Sequence, residues 1–76
     1  MPRYAPFKTW ISVDSSNLEA VKYDPEKEQL AIRFKGGRTY LYGGVPPSVF
    51  LDLLDAPSKG KYVWKHIRDR YAYTEI

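Results

Sequence analysis

The chain reads as a small α+β domain: an antiparallel sheet of three strands, with room for a fourth, followed by two helices, in the order β-β-β-α-α(-β). Three observations predict it. Gln29–Lys35 alternates with Leu30, Ile32 and Phe34 on one side, and Gly36-Gly37 then turns the chain into Arg38–Tyr42. Val49, Phe50, Leu53 and Leu54 recur at helical spacing after Pro46-Pro47. A second helical stretch follows Ser58, a residue suited to capping.

In order along the chain, residues 1–13 hold two prolines and no clear period, which predicts an extended arm packed by Phe7, Trp10 and Ile11. Residues 14–76 form the domain proper. Asp14–Asn17 are small and polar and make a turn. Leu18–Tyr23 reads as the first strand, closed by Asp24-Pro25-Glu26, where proline's fixed φ favours a turn. The hairpin follows. Pro47 suits the start of the first helix, and Pro57 ends it by restricting the residue before it. The second helix is expected from about Lys59 to Arg70, and Tyr71–Ile76 can add an edge strand.

Hairpin parity decides where the tyrosines point. A two-residue Gly36-Gly37 loop pairs Ile32 with Leu41 and puts Tyr40 and Tyr42 on the face opposite Leu30, Ile32 and Phe34. A three-residue loop pairs Ile32 with Tyr40 and Leu30 with Tyr42, turning both tyrosines toward the core. The second arrangement is favoured, because a strand tyrosine more often packs than serves as a platform.

Composition bounds what such a chain can do. Its 76 residues make one domain without cysteine, so no disulfide or thiolate–metal site staples it. No stretch approaches the ~20 apolar residues that span a bilayer, and the first residues lack the apolar core of a secretory signal. A cytoplasmic protein without membrane contact is expected.

The net charge of +3 is concentrated in one place. Residues 57–76 carry five basic side chains, Lys59, Lys61, Lys65, Arg68 and Arg70, against Asp69 and Glu75, whereas residues 1–56 balance seven against seven. Lys61, Lys65 and Arg68 fall at i, i+4 and i+7, sharing one outward helix face with Trp64 beside it. Basic residues interleaved with aromatics suit a phosphate backbone, since each phosphate contact releases counterions. A solvated helix face gives the same pattern at equal weight.

Catalysis finds little support. His66 is the only histidine, with no carboxylate orienter or nucleophile at a fitting spacing, and Ser15, Ser16 and Ser58 serve as turn or cap residues. No catalytic residue, metal ligand or cofactor site is assigned. Gly43-Gly44 and Ser58–Lys61 do not have phosphate-loop spacing.

An ordered set of short motifs carries a resemblance. They are Ser15-Ser16-Asn17-Leu18, Tyr23-Asp24-Pro25, Leu30-x-Ile32-x-Phe34 before Gly36-Gly37, and Tyr40-x-Tyr42 leading to Val45-Pro46. Ala56-x-Ser58-x-Gly60-x-Tyr62, Ile67-Arg68 and Tyr71 follow. Together they resemble the KTSC domain, found at the C-terminus of some lysyl-tRNA synthetases and as a stand-alone protein in bacteria and phages. The residue between the two tyrosines, often polar in that family, is Leu41 here. The resemblance implies a domain without an established function, for which the synthetase context points to RNA.

The expectation is a non-enzymatic module that binds RNA. Lys59, Lys61, Lys65, Arg68 and Arg70 would contact phosphates, and Tyr40, Tyr42 or Trp64 would stack on bases. The alternative is a protein-interaction or self-associating module that docks through Trp10, Phe7 and the arm.

Overall fold

The computed structural model describes residues 7–76; the first six residues of the expected arm lie outside them. Five strands run in sequence order, each antiparallel to the next: β1 (Ile11–Ser12), β2 (Leu18–Asp24), β3 (Gln29–Phe34), β4 (Thr39–Tyr42) and β5 (Tyr73–Glu75). Two helices, α1 (Pro47–Asp55) and α2 (Lys59–His66), stand between β4 and β5. The expected strands and helices are present, and so is the edge strand after the second helix.

The arm supplies the unexpected fifth strand. Ile11 pairs with Val21 and Ser12 with Ala20, and the Lys8 amide donates to the Tyr23 carbonyl at 2.7 Å. Phe7 lies against Tyr23 and Phe50, with ring centroids 5.9 and 6.0 Å away. From Phe7 onward the arm is therefore packed on the domain, with Phe7 partly buried against its core.

Local chemistry explains the turns. The Asp24 carboxylate accepts from the Glu26 and Lys27 amides, as an aspartate-initiated turn requires. At the β3–β4 end, Leu30 faces Tyr42, Ile32 faces Tyr40 and Arg33 faces Thr39. That is the three-residue-loop parity. Gly36 and Gly37 both take positive φ, 104° and 101°, a region that a Cβ disfavours. One residue slips out of register between Leu18 and Ala20, a bulge at Glu19 that brings both Leu18 and Val21 into the core.

Both helices cover one face of the sheet. Leu18, Val21, Tyr23, Leu30, Ile32 and Tyr42 meet Val45, Phe50, Leu53, Val63 and Ile67 in one cluster. Tyr23 stacks on Phe50 at 4.8 Å, and its hydroxyl donates to the Val45 carbonyl at 2.5 Å. That bond satisfies the one polar atom of a fully buried ring. Among the described residues, no helix covers the opposite face. There Trp10 lies between Lys22 and Arg33, whose charged groups sit 5.1 and 4.3 Å from its ring.

The second helix is shorter than its pattern predicts. It stops at His66, where the Ile67 and Arg68 amides both donate to the Val63 carbonyl, at 3.0 and 2.8 Å. This pairing closes a helix C-terminus and lets the chain turn back toward β4. Arg70 therefore lies beyond the helix. Among the described residues, no helix is long and apolar enough to cross a membrane.

Candidate functional site

A cleft of about 590 Å³ opens between the β3–β4 hairpin and α2. Three features of the sequence place its walls. The hairpin tip carries Lys35 and Arg38 on either side of the two glycines. Gly60, Val63 and Trp64 recur at helical spacing along the wall that α2 forms, and the turn after the helix brings in Arg68. Along the floor, Phe34, Tyr40 and Tyr73 form a run of rings with centroids 5.6 and 5.2 Å apart, each contributed by a neighbouring strand.

Both walls are seated on one turn. The Ser15 hydroxyl accepts from the Asn17 and Leu18 amides at 3.1 and 3.2 Å, which fixes the loop before β2. The Asn17 carbonyl then accepts from the Lys35 amide at 2.9 Å and holds the hairpin tip. On the other side, a Cβ at Gly60 would come 3.1 Å from the Asn17 side-chain amide and 3.7 Å from the Ser15 hydroxyl. Gly60 thus lets the first turn of α2 sit against this loop. The Ser58 hydroxyl caps that turn by accepting from the Lys61 amide at 3.4 Å.

The cleft is electropositive. Among the described residues, Lys35, Arg38 and Arg68 line it and no carboxylate does. The Arg38 guanidinium is held more firmly protonated by the Tyr40 hydroxyl beside it and by the charge of Glu75. Arg68 lies over the Trp64 indole, 3.7 Å from the ring centre, and Trp64 remains 63% exposed. Burial pushes the Tyr42 hydroxyl up, the neighbouring tyrosines push it further, and Arg68 opposes them.

The residues expected from sequence divide into two groups. Arg68, Trp64 and Tyr40 come together in the cleft. Lys61 and Lys65 are exposed on α2 and Arg70 beyond it, none of them lining the cleft. Lys59 donates to the Ala56 carbonyl at 2.9 Å, which ties it to the end of α1. Arg68 leaves the helical stripe it was expected to share with Lys61 and Lys65, because the helix has already ended.

Tyr42 needs correction as a stacking residue. It is 3% exposed and forms part of the cleft floor, so its ring offers no free face to a base. Lys35 and Arg38 were not singled out from sequence, although their place beside the glycine turn was visible. The favoured three-residue loop is the one observed. What local sequence does not record is that this hairpin tip and α2 line one cleft.

Comparison with known proteins agrees with this architecture. Residues 14–71 match the KTSC domain. The chain belongs to the KTSC domain family. A crystal structure of a KTSC domain protein from Yersinia pestis has the same fold, with a TM-score of 0.85 at 32% identity, covering 90% of this chain and 96% of that one. A relative from Tsukamurella paurometabola, described only as a protein, is 52% identical over 59 residues, 78% of this chain and 88% of its own length. A lysine–tRNA ligase from Nostoc sp. is 35% identical over 66 residues, which are 87% of this chain but 12% of the ligase. The KTSC unit thus occurs both as most of a small protein and as a minor part of a large one.

Proposed function

We propose that this KTSC domain is a non-catalytic RNA-binding module. The observation that carries the reading is the cleft itself, in which, among the described residues, three cations and exposed aromatic rings converge without a carboxylate. Phosphates are attracted by the charge, and unpaired bases by the rings. Lys61, Lys65 and Arg70 extend the positive field along α2 and past its end, where they meet phosphates outside the cleft. The matching segment in a lysine–tRNA ligase puts the same unit beside a tRNA-handling enzyme, in keeping with an accessory role.

The test is a titration of backbone amides with tRNA and with single-stranded RNA at several salt concentrations. Each phosphate contact to a single strand contributes a log–log salt slope of about −0.7, so engagement of the three cleft cations predicts roughly −2. Shifts around Lys35–Tyr40 and Trp64–Arg68 that vanish with salt would support the reading. Unchanged spectra at low salt with every RNA would remove it and favour a protein-interaction module. The helix-free sheet face, with Trp10, Leu41 and the 66% exposed Ile76, is the surface to examine then.

A further inference from the structure

We infer that the cleft is a receptor for one unpaired nucleotide, a nucleobase carrying a phosphate. This rests on the RNA reading above and adds what part of the RNA is held. The volume, about 590 Å³, falls in the range of small-ligand sites, roughly 300–1,000 Å³, and is too small for a helical duplex. What enters is therefore a base that has left its stack.

The chemistry of the walls divides along the same line. Arg68, stacked on Trp64 at 3.7 Å, is a guanidinium with one face already covered by an aromatic ring. Its other face is a flat, weakly hydrated surface of the kind that stacks on bases. Tyr40 and Tyr73 supply aromatic rings from the floor. Lys35 and Arg38 line the same cleft from the hairpin end, where a phosphate on the same nucleotide would meet them. The Asn17 side chain, beside Gly60, offers amide donors and an acceptor to a base edge. A ligand that uses the whole cleft must be aromatic at one end and anionic at the other.

The experiment compares three probes on the full chain at low salt: nucleoside monophosphates, a six-nucleotide single-stranded RNA and a blunt duplex of equal length. Amide shifts and Trp fluorescence are read out. The expected result is that monophosphates shift Asn17, Lys35, Arg38 and Tyr40, and that the single strand binds at least about tenfold tighter than the duplex. Trp64→Ala, at an exposed position that leaves the fold intact, is expected to weaken both single-strand and monophosphate binding on the order of tenfold. Arg38→Gln, outside the core, should do the same through the phosphate. Lys61→Ala with Lys65→Ala should weaken the single strand and leave the monophosphates unchanged. If RNA binds with shifts confined to Lys61 and Lys65, or the duplex binds as well as the single strand, the cleft assignment fails and the RNA reading survives. If no probe binds, both fail.

Discussion

Under α1, Tyr23 is wholly buried, its ring stacked on Phe50 and its hydroxyl closed onto the Val45 carbonyl. Beside α2, on the same face of the same sheet, Tyr40 is only half-buried and Tyr73 is 57% exposed. The difference lies in the covering rather than in the strands. Over β2, α1 brings Phe50 and Leu53 down onto the sheet and Phe7 closes the edge. Toward β4 and β5, α2 offers Val63, then Gly60 and an outward Trp64, and stops after eight residues. One half of the face is thus filled and the other is left open with its aromatic rings in place. A strand tyrosine here is core or surface according to the helix above it.

The comparison can be broken first at its filled end. Phe50→Ala removes the ring that Tyr23 stacks on and should cost about 3–5 kcal/mol, measured by urea unfolding. A loss below about 1 kcal/mol would mean that the α1 half is not the stabilising one. Tyr23→Phe keeps the ring but leaves the Val45 carbonyl without its donor, for an expected loss of about 1–3 kcal/mol.

Alkaline pH sharpens the contrast without mutation. Burial holds the Tyr23, Tyr42 and Tyr62 hydroxyls above their ordinary value, so the fold favours their neutral forms. The associated stability is fully present below the unfolded value of about 10 and is lost as pH rises from there through the raised folded values. Unfolding midpoints followed from pH 8 to 11 should therefore fall, and Tyr23→Phe should flatten the fall. At the open end, Tyr73→Ala should change stability by less than about 1 kcal/mol while weakening single-stranded RNA. Smallest of all, Lys8→Ala breaks only an exposed ion pair with Glu26, 2.8 Å long, and should leave the unfolding midpoint where it was.

Much of the filled half was legible in the sequence, because periodicity reports on burial. Leu30 and Ile32 announce a strand face, Phe50 and Leu53 a helix stripe, and Asp24-Pro25 and Pro46-Pro47 the turns between. β1 was not legible, since two residues cannot show a period and their pairing comes from the edge of β2. The end of α2 carries no glycine or proline; the helix closes there through the Ile67 and Arg68 amides on the Val63 carbonyl, a bonding pattern that no residue type marks.

The open half was legible only in part. Trp64 and Arg68 drew notice through charge and spacing, but Lys35 and Arg38 depend on the hairpin parity. Two glycines permit either parity, and the Lys35 amide bond to Asn17 is a tertiary contact that no local pattern records. Leu41 was legible through parity alone. Its apolarity points to the core, but alternation with Tyr40 and Tyr42 in the favoured loop sends it to the face that, among the described residues, carries no helix, beside Ala31 and Trp10.

The loop at Ser15–Leu18 behaves like the pivot of a pair of callipers. One jaw hangs from the Asn17 carbonyl and the other leans against the Asn17 side chain across a hydrogen at position 60. The gape between them is set by the thickness of a single residue contact rather than by the length of either jaw. A methyl group at position 60 would come 3.1 Å from the Asn17 side-chain amide, which would have to give by a few tenths of an ångström, and the bare α-carbon of glycine lets the two meet without that shift.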